Sequence, residues 1–192
     1  MKVSTSGGVT SPKGFLAAGI ASGIKERGLD LALIVSDREA SAAGVLTTHQ
    51  LAAAPVHLTR TNLKLGRAQA IVANSGNANC CNGPSGMQDA LTTRQNAARL
   101  LQLKASSVLV ASTGIIGKKL PIKTLLKSLP NLVKRLSRTG SKQAARGILT
   151  TDKVTKSVSA SFKLGSQRIQ IGGIAKGSGM INPGMATMLC FL

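Results

Sequence analysis

Apolar residues along the chain fall into two kinds of pattern, separated by glycine and proline. Short apolar runs have the length of buried strands and lie at 29–36, 43–48, 68–73 and 107–111, the last two with β-branched residues. Two alternating segments, 157–164 and 168–172, flank the turn residues Gly165 and Ser166. This arrangement predicts a β-hairpin in the last third of the chain.

Longer stretches carry apolar residues at helical spacing. The segment 86–103 presents one broad apolar face, and Ser85 is its candidate N-cap. A second helix is predicted over 121–129, because Pro121 suits a helix start and Pro130 is expected to end it. A short third helix is predicted over 142–149. Strands and helices alternate without a polar linker, so a single α/β domain is expected.

Composition excludes several classes of protein. With 43% hydrophobic and 16% charged residues the chain is typical of a globular protein. Its apolar runs are too short to cross a bilayer and its start lacks a targeting signal, so we expect a cytoplasmic protein. His49 and His57 are too few for a metal cage and the three cysteines lack metal-site spacing, so neither a metal nor a bound cofactor is expected.

The charge balance is unusual, with 25 basic against 6 acidic residues and a formal net charge of +19. Such an excess can indicate nucleic-acid binding. However, the basic residues are dispersed, and Trp and Tyr, which would stack on single strands, are absent. A solvated basic surface is therefore the preferred interpretation and nucleic acid an unlikely partner. An acidic remainder outside this chain is the alternative.

Two segments with small polar residues follow predicted strands. The segment 74–79 holds three asparagines, which fit a tight structured loop or, alternatively, a polar rim near a substrate. The segment 112–117 contains Thr113 and Gly114, and a small-residue turn at a strand end can direct donors at a developing negative charge. Each signal is weak on its own.

Four further residues carry candidate chemistry. Thr150 and Asp152 follow an apolar pair, where capping of the next element is the simpler interpretation. Lys176 stands alone among glycines and could bind a carboxylate as a point charge. Thr187 follows Ala186, and if the bond between them were cut, the new α-amine could serve as the base for the Thr187 hydroxyl. An ordinary threonine at the start of a strand is the alternative.

Taken together, these segments resemble the N-terminal part of glutamate N-acetyltransferase, also called ornithine acetyltransferase, of arginine biosynthesis. The resemblance runs from residue 14 to the last residue, and its most specific motif is the closing 176–189. The other matching segments are 14–25, 30–37, 43–48, 53–56, 74–79, 112–117 and 149–152.

The resemblance implies a self-cleaving precursor that is cut between Ala186 and Thr187, so that 1–186 would form an α-chain segment and 187–192 the start of a β chain. It implies that Thr187 is the nucleophile, which takes acetyl from N-acetylornithine and passes it to glutamate. Thr113 and Gly114 match the oxyanion-hole pair, and Thr150, Lys176 and Thr187 match substrate-binding residues.

The implied fold is a layered αββα sandwich, shared with self-processing aminopeptidases, and the implied assembly is a heterotetramer of two α and two β chains. Some members also accept acetyl-CoA as donor. Because the resemblance stops at Leu192, we expect this chain to be incomplete, inactive without the missing β-chain segment, and to leave its last residues without sheet neighbours. An aminopeptidase-like hydrolase and a basic nucleic-acid-binding protein without catalysis are the competing hypotheses.

Overall fold

A computed structural model of the chain describes residues 1–178 and 188–192. The described elements alternate between strands and helices, as the sequence pattern predicts. The strands are β1 (Lys2–Ser4), β2 (Phe15–Ile20), β3 (Leu31–Ser41), β4 (Arg67–Asn77), β5 (Val108–Ile115), β6 (Lys156–Leu164), β7 (Gln167–Lys176) and β8 (Leu189–Phe191). The helices are α1 (Ala54–Leu63), α2 (Gly83–Leu101), α3 (Ile122–Lys134) and α4 (Ser141–Gly147).

The first sheet has the order β2-β3-β4-β5. Strands β2, β3 and β4 are antiparallel neighbours, whereas β4 and β5 are parallel and are connected through α2. Helices α1, α2 and α3 bury one face of this sheet, where large apolar side chains form the main core. Its fully buried members include Leu31, Leu33, Val72, Val108, Leu125, Leu129 and Leu132.

The second sheet is antiparallel throughout and has the order β1-β6-β7-β8. Helix α4 packs on the face of the first sheet opposite α1–α3 and also contacts β6 and β7. A second apolar cluster fills this space, with Ala17, Ile34, Ala144, Ile148 and Ile174 among its members. The expected α/β class with layered sheets is therefore confirmed.

Helix α4 approaches β2 so closely that two glycines are needed at the contact. A Cβ on Gly140 would collide with the carbonyl of Ala17, and a Cβ on Gly19 would collide with the carbonyl of Gln143. Short side chains on both surfaces let backbone pack against backbone. This close approach places the turn after α4 beside the ends of the central strands.

Two predicted elements are corrected by the structure. Residues 43–48 have no regular secondary structure and lie outside the sheets, and the Arg60 guanidinium on α1 donates to the carbonyl of Thr47 at 2.6 Å. The partner of this segment is thus a helix side chain rather than a strand. Ser85 does not cap α2: the helix begins at Gly83 after Asn82, and the Ser85 hydroxyl donates to the Asn82 carbonyl at 2.8 Å.

Three predicted boundaries also differ. Pro130 does not end α3, which continues to Lys134. The predicted loop at 74–79 and turn at 112–117 are in their first parts, 74–77 and 112–115, the continuing ends of the parallel pair β4 and β5. The expectation that the last residues lack sheet neighbours is wrong for β8, whose Leu189 and Phe191 pair with Lys176 and Ile174 of β7.

Candidate functional site

The ends of three strands and one turn meet at a common point. Thr113 and Gly114 lie near the end of β5, beside the end of β4 in the parallel ladder. Lys176 is the last residue of β7. Thr150 lies in the turn that follows α4. Residues far apart in the chain are therefore brought together by the packing of the two sheets around α4.

Lys176 is the centre of this cluster. Its Nζ donates a hydrogen bond to Thr113 Oγ1 at 3.0 Å and to Thr150 Oγ1 at 2.6 Å. The residue is only 3% exposed and Thr113 only 1%. A lysine ammonium has no acceptor, so both threonine oxygens accept from it. Each hydroxyl hydrogen is then free to be donated to another group, such as a ligand.

Burial and the neighbouring charges act in opposite directions on the pKa of Lys176. Burial lowers its pKa, Asp152 acts to raise it, and the positive charges of Lys156 and Lys25 lower it further. The overall pKa is below the ordinary lysine value. An anionic ligand would raise the Lys176 pKa, because a negative charge beside the ammonium favours the protonated form.

Asp152 supplies a negative charge close to this cluster. One carboxylate oxygen, Oδ1, accepts from the Lys156 ammonium and from the backbone N–H of Gly177 at 2.7 Å. The other oxygen, Oδ2, is buried and has no hydrogen-bond partner among the residues that the structure describes. Burial acts to raise the Asp152 pKa, but the hydrogen bonds from Lys156 and Gly177 and the charges of Lys156 and Lys176 together lower it.

Gly114 adopts a backbone conformation that favours glycine. Its φ is +133°, and a Cβ at this position would collide with the backbone of Gly76 on β4. Gly76 is also its partner in the ladder and has a φ of +97°. The two glycines therefore let the strand ends approach closely, and they set the direction of the backbone next to Thr113.

The asparagines at 74–79 serve the fold. Asn74 donates to the Asn77 carbonyl at 2.8 Å and accepts from the Ser112 hydroxyl at 2.6 Å. Asn77 donates to the carbonyls of Lys118 and Lys119, both at 3.0 Å. Both asparagines are buried. These contacts favour a structural role for the asparagines over a polar rim facing a substrate.

The structure thus joins Thr113, Thr150 and Lys176 by direct hydrogen bonds and places Gly114 next to Thr113 in the chain. The predicted cleavage pair, Ala186 and Thr187, lies outside the described residues. Within 1–178 and 188–192, no group of His, Cys, Asp and Glu side chains could hold a metal ion. None of the helices in this part of the chain is long and apolar enough to cross a membrane.

The sequence does not connect three charged neighbours of Lys176 to the site. For Asp152 it favours a cap, whereas the carboxylate joins Lys156 to Gly177. It shows Lys25 only as the end of a motif, whereas the Lys25 ammonium donates to the carbonyl of Leu149 at 3.0 Å. A usable signal for Lys25 was its position in a glycine-rich turn between two strands. Lys156 gave no signal, since it resembles any exposed strand lysine.

Comparisons with known proteins identify the family of the chain. The family model described as the ArgJ family matches residues 16–192. The chain is 52% identical over 188 residues to the arginine biosynthesis bifunctional protein ArgJ of Gloeobacter violaceus, covering 97% of this chain and 46% of that protein. It is 48% identical over 188 residues to ArgJ 1 of Nostoc sp., with the same coverage of both chains. The chain thus spans about half the length of the curated relatives it matches.

Solved structures show the same fold. A crystal structure of the arginine biosynthesis bifunctional protein ArgJ from Bacillus halodurans matches with a TM-score of 0.90 and 37% identity, covering 98% of each chain. The ornithine acetyltransferase of Mycobacterium tuberculosis, complexed with ornithine, matches with a TM-score of 0.88 and 39% identity, covering 95% of this chain and 97% of that one. From its sequence and its fold, the chain belongs to the ArgJ family.

Proposed function

We propose that this chain provides part of the active site of an acetyltransferase that moves acetyl from N-acetylornithine to glutamate. Because the chain spans about half of its curated relatives, the proposal concerns the complete gene product. The observation that carries it is the buried Lys176 ammonium, which holds the Thr113 and Thr150 hydroxyls beside the left-handed Gly114. The binding of ornithine named for the similar mycobacterial structure supports it.

Lys176 is proposed to bind the α-carboxylate of the amino-acid substrate. Toward the described residues it uses two of its three N–H donors, on Thr113 and Thr150, and the third can reach an anion. A charge-assisted bond to a carboxylate is strong in a buried site and would offset the unfavourable burial of the ammonium. Thr150, fixed by the same ammonium, would donate its free hydroxyl hydrogen to the substrate.

The acetyl group is proposed to pass through Thr187. Its hydroxyl oxygen would attack the acetyl carbonyl of N-acetylornithine while the Thr187 α-amine, freed by cleavage after Ala186, accepts the hydroxyl proton. The resulting oxyanion would receive hydrogen bonds from the Thr113 hydroxyl and the Gly114 N–H, a type of contact worth about 3 kcal/mol per donor. Collapse breaks the amide bond, and the departing nitrogen takes the proton and leaves as ornithine.

The second half-reaction reverses these steps with a new acceptor. The amine of glutamate would attack the acetyl-Thr187 ester, N-acetylglutamate would leave, and the Thr187 hydroxyl would regain its proton. Acetyl-CoA remains a proposed second donor, and the α2β2 assembly and the cytoplasmic location remain predictions.

Acetyl transfer by the complete gene product tests this function. In an assay without acetyl-CoA, the wild-type protein should form N-acetylglutamate from glutamate only when N-acetylornithine is supplied. Lys176→Met should lower kcat/KM on the order of 10- to 100-fold, because a buried charged hydrogen bond is lost. Lys176→Arg should rescue little, since a planar guanidinium cannot replace a point donor between two hydroxyls. The matched control Lys163→Met removes an exposed lysine from β6 and should leave kcat/KM unchanged.

Two results would contradict the proposal. If the wild type only hydrolyses amides and forms no N-acetylglutamate, the aminopeptidase-like hypothesis replaces acetyl transfer. If Lys176→Met has the same kcat and KM as Lys163→Met, Lys176 does not bind substrate.

Cleavage before Thr187 is tested separately by intact-mass measurement. The complete gene product should separate into two chains whose boundary is the Ala186–Thr187 bond. Thr187→Ala should remain one chain, because the side chain that attacks the preceding carbonyl is absent. Thr151→Ala, a change at an exposed threonine after Thr150, should still cleave. A single uncleaved chain in an active wild-type preparation would remove the α-amine from the mechanism.

A further inference from the structure

A buried aspartate organises the turn between β2 and β3. The Asp30 carboxylate accepts hydrogen bonds from the backbone N–H groups of Ser22 at 2.6 Å, Gly23 at 3.1 Å and Lys25 at 2.9 Å. Asp30 is completely buried, and its own backbone bonds to Ile20 and to Ser75 of β4. A buried carboxylate satisfied by three N–H donors is a rigid anchor, so the backbone at Lys25 is held in place.

From this anchored turn the Lys25 side chain crosses the end of β4. Its stem lies on Gly76, where a Cβ would come within 2.5 Å of Lys25 Cγ. Gly76 is the ladder partner of Gly114, against whose α-carbon it packs without a side chain between them. The aliphatic part of Lys25 therefore packs against the end of β4, next to the end of β5 that carries Gly114.

The ammonium of Lys25 reaches the other half of the site. It donates to the carbonyl of Leu149 at 3.0 Å, and Leu149 directly precedes Thr150. Thr150 in turn accepts the hydrogen bond from Lys176. One side chain thus touches Gly76, the ladder partner of the proposed oxyanion donor Gly114, and the turn with the proposed substrate hydroxyl.

We propose that Lys25, anchored by Asp30, is a positioning residue that fixes the Thr150 turn relative to Gly114 for the acetyl-transfer reaction. This inference rests on the proposed function. Lys25 acts through Leu149 and Gly76 rather than on the substrate. Its positive charge also adds to the field at Lys176, together with Lys156 and against Asp152.

A kinetic comparison of Lys25→Met, Lys25→Arg and Lys163→Met in the complete gene product tests the inference. Lys25→Met should lower kcat on the order of 10- to 100-fold with a smaller change in KM, because misplaced groups lose transition-state alignment. Lys25→Arg keeps the charge and a donor for Leu149, so it should recover part of kcat. Lys163→Met should behave as wild type, and the melting temperature of each variant reports whether it is folded.

The pH profile separates positioning from simple loss of stability. Lys25 lowers the pKa of Lys176, so Lys25→Met should move the alkaline limb of kcat/KM to higher pH, while Lys25→Arg should leave it in place. The charged groups acting on Lys176 are Asp152, Lys156 and Lys25, and the first two are unchanged in both variants. A general loss of folded protein would lower the whole profile without moving the limb.

The outcomes distinguish this inference from the function on which it rests. If the wild type is inactive in acetyl transfer, the proposed function fails. If the wild type is active and Lys176→Met is impaired, but folded Lys25→Met has wild-type kcat and an unmoved alkaline limb, only the positioning role fails. If Lys25→Met does not fold, folded Lys25→Arg still decides: measurable kcat with an unmoved alkaline limb supports the positioning role, and loss of all activity would overturn it.

Discussion

At the scale of single residues, the site is dominated by buried charge that is only partly compensated. Lys176 has hydroxyls rather than a carboxylate as hydrogen-bond partners, while Asp152 is bonded to Lys156 and Gly177. A buried ammonium without a direct counter-ion is unfavourable for folding. Such an arrangement is typical of a binding site, in which the ligand supplies the missing charge.

Asp152 should make stability depend on pH in the acid range. Its pKa is lowered in the folded protein, so its contribution is fully present above the ordinary carboxylate pKa and is lost as the pH falls through the lowered one. The difference in unfolding free energy between wild type and Asp152→Asn should therefore be constant near neutrality and shrink below about pH 4. Urea unfolding at a series of pH values measures it.

The matched control for this prediction is Glu26→Gln, which removes an exposed carboxylate in the β2–β3 turn. It should follow the wild-type curve. A difference for Asp152→Asn that stays the same from pH 7 to pH 3 would show that ionisation of Asp152 does not contribute to folding.

At the scale of elements, helix α3 continues through a proline that the sequence predicts to end it. Pro130 lacks an N–H and should interrupt the hydrogen bond to the carbonyl of Leu126, yet the helix runs from Ile122 to Lys134. Leu125, Leu129 and Leu132 are fully buried on one face, on either side of the proline. Their burial against the first sheet outweighs the lost hydrogen bond.

Replacing Pro130 should consequently stabilise the protein. Pro130 is exposed, so Pro130→Ala removes no core contact and restores one helical N–H donor. We expect an increase of about 1–3 kcal/mol in unfolding free energy, reduced by the greater freedom of the unfolded chain. Lys127→Ala, an exposed change on the same helix, should stay within about 0.5 kcal/mol of wild type. Denaturant unfolding of the three proteins gives the comparison, and a loss of stability for Pro130→Ala would contradict the argument.

At the scale of the whole molecule, two apolar clusters lie on opposite faces of the first sheet, and the site lies where the second cluster meets the strand ends. Three ion pairs join side chains of the described residues: Arg38–Asp37, Arg67–Glu39 and Lys156–Asp152. Most of the 25 basic residues therefore contribute to a positive surface rather than to pairing. Small anions, including the proposed substrate glutamate, would be attracted by such a field.

The sequence by itself determined the α/β class and the hairpin of β6 and β7, because periodicity is a local property. Thr113, Thr150 and Lys176 were singled out by the resemblance of their short motifs to a known family. Tertiary structure alone decided what depends on distant partners. The segment 43–48 lies against a helix, α3 continues through Pro130, and the 74–77 and 112–115 segments extend the parallel strands. Lys25 and Asp152 join the site for the same reason: their partners, Leu149 and Gly177, are brought near by packing of the two sheets around α4, which no local pattern encodes.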